Sequence, residues 1–535
     1  MRQERNHTED MGRTNERLAI EVIERLLALG VTTFCLSAGG RNAPFVETLD
    51  ALANANPLIE VLNFFDERDG AFFAIGRAKR DGVPVAVVTT SGTAVSELFS
   101  AVVEAHYSGV PLVLVTADRP VAYRGTGAPQ AIEQAHLFAR YAKVSFDIDR
   151  PGTKWDLSSW CLNGPVQVNV SFDEPLLKGR LGEVPSLPPL ASVKNGTIEE
   201  ASEGFSDALS SLRRPFVILG ALGEADVRAV EDFCLRFGAP VLAETSSRLR
   251  NSVALAPLLM RSGEALVQRG VKDGTLQGAL RIGGVPSFRV WRDLEVSGIP
   301  VLSLSRLPFS GLTSGRLFTA AIGPTLCTTE PPDLRDTWIE LARADAALAE
   351  AMSALLAEFP ESEPAIVRAL SKQVAGDSFL YLANSMPVRE WNEFSLHDAA
   401  GLDVQENRGA NGIDGQVSSF LGGVRAGRQN WMVVGDLTAL CNLAGPWAMR
   451  YLSGADVRIV IINNGGGRIF QRLFANPRFQ TEHQTSFVPW AELWNMKHTC
   501  EISGAAPGTI VELVPDEAQT REFWTRLDIL KAASL

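Results

Sequence analysis

The chain has 535 residues, 46% apolar and 21% charged, a composition that belongs to a folded globular protein and excludes a disordered one. Its formal net charge of −12 argues against nucleic acid as the main partner, because phosphate backbones are bound by basic surfaces. No stretch approaches the roughly 18 apolar residues of a membrane span, and the six cysteines form no CxxC pair. They therefore read as reduced thiols of a cytoplasmic protein, with neither a disulfide framework nor a structural zinc.

Residues 1–17 are polar and lack the apolar centre of a signal peptide. Beyond them, short apolar runs alternate with helix-length segments, the pattern of α/β folds with mainly parallel sheets. In the first part, strands are expected at 33–37, 59–64, 83–89, 112–116 and 166–170. The Pro-rich passage 184–190 reads as a linker. The middle part offers strands at 216–219, 241–244, 279–282 and 301–305, and a charged helical segment over about 333–373 leads into the third. There the strands fall at 379–383, 404–406, 431–434, 458–462 and 509–513. The simplest account is three doubly wound α/β domains, placed at 1–185, 196–345 and 360–535. No internal repeat is evident in residue identity.

The most informative stretch lies in the third domain. One strand runs into Gly435-Asp436, and the next ends, 28 positions after Asp436, in Asn463-Asn464-Gly465-Gly466-Gly467. A carboxylate and an amide at neighbouring strand ends suit a hard cation bridging a diphosphate, since Mg²⁺ takes one or two carboxylates and completes its shell with neutral oxygens. The glycines let backbone N–H groups approach an anion. An ordinary βαβ unit with a turn-forming Gly-Asp is the plain alternative.

The first domain adds several elements. Glu67 begins a helix after an apolar strand, among Phe64, Phe65, Phe72 and Phe73. It reads either as a structural cap or as a carboxyl whose apolar setting raises its pKa. Thr90-Ser91-Gly92-Thr93 forms a strand–turn–helix junction suited to presenting N–H groups to a ligand. Arg119 stands at a strand end, and Gln130 lies in a glycine-rich loop.

Taken in order, these motifs resemble the 2-succinyl-5-enolpyruvyl-6-hydroxy-3-cyclohexene-1-carboxylate (SEPHCHC) synthase, or MenD, family of thiamine-diphosphate (ThDP) enzymes. The resemblance runs through Ser37–Arg41 (S-x-G-G-R), Phe65–Arg68 (F-D-E-R), Thr90–Val95 (T-S-G-T-A-V), Thr116–Pro120 (T-A-D-R-P) and Gln130–Gln134 (Q-A-I-x-Q). It continues through Asn384–Arg389 (N-S-M-P-V-R), Asn407–Gly415 (N-R-G-A-N-G-I-D-G), Gly435–Leu440 (G-D-L-T-A-L) and Asn463–Phe470 (N-N-G-G-G-R-I-F). The middle domain is matched mainly by position and by one loop.

The resemblance implies the ThDP-enzyme fold, with pyrimidine-binding, central and diphosphate-binding domains. It implies a transferase that decarboxylates 2-oxoglutarate and adds the succinic-semialdehyde carbanion to isochorismate, in menaquinone biosynthesis. Glu67 would be the catalytic carboxyl at the cofactor's aminopyrimidine, and Ile413 the apolar wedge behind its bent form. Asp436 and Asn464 through side chains, and Gly466 through its carbonyl, would hold Mg²⁺ or Mn²⁺. Ser91, Gly92, Gly435, Leu437, Thr438, Ile469 and Phe470 would complete the cofactor site. Both substrates are dicarboxylates, so arginine forks are expected. Arg41, Arg119, Arg289, Arg389 and Arg408 match, with Gln130 and Ser385 as polar partners and Ile469, Phe470 and Leu473 as an apolar wall. The family pattern implies a homodimer or homotetramer with active sites at the subunit interface. None of the six histidines falls in a motif, so they read as structural or surface residues.

Three departures lie on the acceptor side. Gly40 stands where the family usually has Ser, Pro129 where it has Asn, and Phe288 precedes Arg289 where many members have Lys. They keep open a ThDP-dependent 2-oxoglutarate carboligase or decarboxylase with another acceptor. A nicotinamide dehydrogenase would need a G-x-G-x-x-G fingerprint in the first domain, which is lacking. A silent scaffold of the same fold would not need Glu67, Asp436 and Asn464 together.

Overall fold

A computed structural model describes residues 2–177, 204–397 and 401–533, and for 2–10 the backbone only. The linker expected at 184–190 lies outside the described residues. Among the described residues, seventeen strands form three sheets in which every pairing is parallel. The first contains β1 (Thr33–Ser37), β2 (Glu60–Asn63), β3 (Val85–Thr89), β4 (Leu112–Asp118), β5 (Ser145–Ile148) and β6 (Val166–Ser171), in the order β2-β1-β3-β4-β6-β5. The second contains β7 (Pro215–Leu219), β8 (Val241–Ala243), β9 (Gly278–Ile282), β10 (Val301–Ser305) and β11 (Arg316–Thr319), in the order β11-β10-β9-β7-β8. The third contains β12 (Phe379–Leu382), β13 (Asp403–Gln405), β14 (Gln429–Gly435), β15 (Asp456–Ile462), β16 (Lys497–Thr499) and β17 (Thr509–Leu513), in the order β13-β12-β14-β15-β17-β16.

Central strands are continuous runs of Val, Ile, Leu and Phe because helices cover both faces of a parallel sheet. On β7, Val217 and Leu219 enter one apolar core while Phe216 and Ile218 enter the other. Three strands escaped the sequence pattern: β5, β11 and β16. Each is an edge strand of its sheet; SFDI and RLFT are half polar and KHT wholly so, because an edge is only partly covered. The helical stretch expected over 333–373 is two helices, Ile339–Glu358 and Glu363–Ser371. The second is capped by the Ser362 side chain, which accepts from Ala365 N, and Pro364 sits in its first turn, where no N–H is needed.

The first and third sheets have the same topology, so the repeat absent from residue identity is present in the fold. In an open parallel sheet the order reverses at one point, and the carboxyl ends of the strands there border the ligand crevice. In the first sheet this is β1 beside β3, where Ser37 pairs with Thr89; in the third it is β12 beside β14. The motifs fall at matching ends: Ser37–Arg41 and Asn384–Arg389, then Thr90–Val95 and Gly435–Leu440.

By its contacts the chain divides into two compact units. One gathers the first sheet with 407–424 and 441–454; the other holds the second and third sheets. The six cysteines are unpaired, with Cys35 and Cys234 buried.

Candidate active site

In the first unit, Glu67 is the first residue of helix Glu67–Asp81, whose N-cap Asp66 accepts from Asp69 N at 3.1 Å. Burial raises the Glu67 pKa above the usual carboxylate range, and the Asp66 and Glu97 carboxylates add to the rise. Among the described residues no other side chain bonds to it, so the rise comes from its environment and not from a hydrogen-bonding partner. The expected phenylalanine setting is partly borne out. Phe64, Phe72 and Phe73 are buried, but Phe65 is 59% exposed and its ring stands edge-on to Trp447 at 4.8 Å.

Two residues on, Asp69 is buried, accepts from Ser418 Oγ at 2.8 Å through Oδ1, and leaves Oδ2 without a partner. Burial pushes its carboxyl up to about 6. Ser418 lies on helix Gln416–Gly423, which packs backbone to backbone against helix Glu67–Asp81. A Cβ on Gly76 would lie 1.9 Å from Ser419 O, and one on Gly422 would lie 2.0 Å from Phe73 O. The preceding loop is pinned as well: Gly409 N and Ala410 N donate to Glu104 at 3.0 and 2.7 Å, and Lys79 Nζ donates to Asn407 Oδ1 at 2.9 Å. These contacts fix Ile413, which remains 39% exposed, on the same framework as Glu67. Arg408 is half-buried on that loop.

The loops after β1, β3 and β4 converge. A Cβ on Gly39 would meet Thr90 at 2.7 Å, and one on Gly92, at φ +82°, would meet Gln130 Cα at 3.1 Å. The Gly92 N–H donates to Gln134 Oε1 at 3.2 Å, and Gln134 Nε2 donates to Ala117 O and Asn169 Oδ1, each at 2.8 Å. Ser91 is buried beside them, and Gln130 is exposed at φ +55°, a left-handed conformation unusual for a residue with a side chain. Arg119 has no carboxylate partner among the described residues, and its guanidinium lies 5.5 Å from the Tyr123 ring centre. Arg41 is buried and engaged, donating to Phe172 O at 3.0 Å and pairing with Glu174 at 3.0 Å.

In the second unit, β14 and β15 pair through Gly435 and Ile462, which sets Asp436 beside the Asn463–Gly467 loop. Asp436 is buried; Oδ1 accepts from Leu437 N at 2.6 Å and Oδ2 from Gly466 N at 2.9 Å. Burial raises its pKa, and those two N–H groups pull it back. Thr438 is buried behind it and Leu437 half-buried. Gly466, at φ +144°, leaves no room for a side chain, since a Cβ would lie 2.6 Å from Gln480 O. Asn464 donates Nδ2 to both oxygens of Glu363, at 3.1 and 3.0 Å, while its Oδ1 is buried with no partner. A buried carboxylate with a raised pKa beside an orphaned amide oxygen is a set that a divalent cation fits.

His483, read from the sequence as a structural or surface residue, belongs to this half. Its Nδ1 accepts from Thr485 N at 3.1 Å and its Nε2 lies 3.3 Å from Asp436 Oδ2. It stands 47 residues from Asp436 outside any motif, so the sequence carried no signal. Glu363, 101 residues from Asn464, was hidden in the same way. A cavity of about 320 Å³ borders Asn463, Asn464, His483 and Glu512.

Ile469 and Phe470 form a short helical turn, and Phe470 and Leu473 are exposed. Ser385 sits at φ +78°, ψ −129° at the N-cap of helix Met386–Phe394, and its carbonyl accepts from Arg389 Nη1 at 2.6 Å. Such strain in a non-glycine residue marks functional sites. Arg289 is exposed and, among the described residues, pairs only with Asp293, at 3.9 Å. Phe288 packs against an apolar core of the middle sheet. Gly40 has nothing within 4 Å of an added Cβ, so steric space does not account for the missing Ser.

Three parallel α/β sheets, a pKa-raised glutamate after β2 and an Asp–Asn cradle after β14 and β15 define a ThDP enzyme. Residues 17–137 match the family model described as thiamine pyrophosphate enzyme, N-terminal TPP binding domain. A relative in Bdellovibrio bacteriovorus named 2-succinyl-5-enolpyruvyl-6-hydroxy-3-cyclohexene-1-carboxylate synthase is 41% identical, over 97% of this chain and 99% of its own. Relatives of the same name in Akkermansia muciniphila and Geobacillus kaustophilus are 36% and 31% identical, over 93% and 90% of this chain and 96% and 89% of theirs. The chain belongs to the SEPHCHC synthase family. Among the described residues no helix is long and apolar enough to cross a membrane.

Proposed function

We propose that the chain is a transferase that decarboxylates 2-oxoglutarate and adds the resulting four-carbon unit to isochorismate, producing SEPHCHC for menaquinone biosynthesis. ThDP supplies the electron sink for this chemistry. The observation that carries the reading is Glu67, a carboxyl raised by burial at a helix start with no side-chain partner among the described residues.

Glu67 would hydrogen-bond the cofactor's aminopyrimidine nitrogen and exchange a proton with it, a role favoured by the burial that raises its pKa. Ile413 would back the cofactor, and Ser91, Gly92, Gly435, Leu437, Thr438, Ile469 and Phe470 would complete its site. Asp436, the Asn464 oxygen and the Gly466 carbonyl would hold Mg²⁺ or Mn²⁺, which would neutralise the charge of the diphosphate. Arg41, Arg119, Arg289, Arg389 and Arg408, with Gln130 and Ser385, orient the substrate carboxylates, and Phe470 and Leu473 keep water from the reacting carbon. In Arg119 a guanidinium without a carboxylate partner among the described residues supports this role; in Arg41 substrate would compete with Glu174.

The domain assignment is 1–185 for the pyrimidine, 196–345 for the centre and 360–535 for the diphosphate. The enzyme works in the cytoplasm as a homodimer or homotetramer, with active sites at the subunit interface. Of the three departures, Phe288 is explained by core packing, which leaves Gly40 and Pro129 to bear on the acceptor. Mass analysis of the product from 2-oxoglutarate, ThDP and Mg²⁺, with and without isochorismate, tests the proposal. SEPHCHC is the expected product; a ligation product formed only with another acceptor would replace the isochorismate assignment.

A further inference from the structure

Glu363 is the first residue of helix Glu363–Ser371 and is 3% exposed. Its N–H donates to Thr520 Oγ1 at 3.0 Å, and its two carboxylate oxygens take the Asn464 amide nitrogen between them. A side-chain amide can present either its oxygen or its nitrogen to a site, and the two faces are nearly the same size. A carboxylate only accepts, so it admits the NH₂ face and repels the oxygen. Arg468 Nε holds the Asn464 main-chain carbonyl at 3.1 Å, so the backbone is fixed as well. The remaining face of the amide is Oδ1, buried and unpartnered.

We infer that Glu363 is a positioning residue of the metal site: by holding the Asn464 NH₂ group, it turns Oδ1 toward the cation. Glu390 is buried beside Glu363. The inference rests on the reading of Asp436 and Asn464 as metal ligands. Groups that orient a metal ligand from behind typically change affinity by roughly 10–100-fold when replaced.

The test is Glu363→Gln in the full-length chain, with Mg²⁺ and ThDP binding measured by calorimetry and the melting temperature measured without either. Glutamine is the same size, but it can face Asn464 with either its oxygen or its nitrogen, so the orientation is no longer dictated. Affinity should fall by about ten-fold or more, while the cofactor-free melting temperature does not fall, because glutamine keeps the size of the side chain. The double variant Glu363→Gln/Asn464→Asp restores a donor facing an acceptor and should recover binding. Unchanged affinity in Glu363→Gln, a fall in its cofactor-free melting temperature, or no recovery in the double variant would overturn the inference. Asp436→Ala serves as the control. If it leaves affinity intact, the metal reading itself fails; if it abolishes binding while Glu363→Gln does not, only the positioning role fails.

Discussion

At the scale of single residues, the site is built from carboxyl groups kept from their ordinary ionisation by burial. Glu67→Gln keeps the size of the side chain but removes its ability to exchange a proton. Turnover should fall by at least about 100-fold, the contribution typical of general acid–base groups, with little change in unfolding temperature. Near-normal turnover would overturn the catalytic role. Asp69 makes a prediction of the opposite kind. Its folded pKa of about 6 exceeds the ordinary carboxylate value, so the folded protein binds this proton more tightly than the unfolded chain. That contribution is fully present below about pH 4 and is lost as pH rises through about 6. Asp69→Asn should therefore gain up to about 3 kcal/mol of stability over wild type at pH 7 compared with pH 4. A pH-independent difference in denaturant titrations would contradict it. Glu67 could be singled out from the sequence because the phenylalanines around it are its neighbours in the chain. His483 and Glu363 could not, because distant loops bring them to Asp436 and Asn464.

At the scale of elements, the contact between helices Glu67–Asp81 and Gln416–Gly423 is made by glycines. Gly76 and Gly422 let the backbones touch, and any side chain at either position must push the helices apart. Gly76→Val should destabilise the protein by about 1–3 kcal/mol or more, the usual range for overpacking, and should lower ThDP affinity with it. A variant that melts like wild type would show that the contact is not tight. Central strands were legible in the sequence because burial on both faces leaves an unbroken apolar run. Edge strands β5, β11 and β16 were not, because half of each must face water. The shared topology of the first and third sheets was equally hidden, since strand order depends on crossovers and not on residue identity.

At the scale of the whole molecule, the cofactor and the acceptor stand on different ground. Glu67, Asp436, Asn464 and the glycine loop each stand within a short motif, so the ThDP class is legible in the order of residues alone. The acceptor depends on residues from several loops. There the fold bears on two of the three departures, assigning Phe288 to core packing and leaving open space at Gly40. The central claim is that carbon dioxide release is coupled to ligation onto isochorismate. The most direct measurement follows carbon dioxide from 2-oxoglutarate against isochorismate consumed, with ThDP and Mg²⁺ present. One-to-one stoichiometry is expected, with release falling to a small fraction when isochorismate is withheld. Release at the same rate without isochorismate would contradict the claim and mark the chain as a decarboxylase.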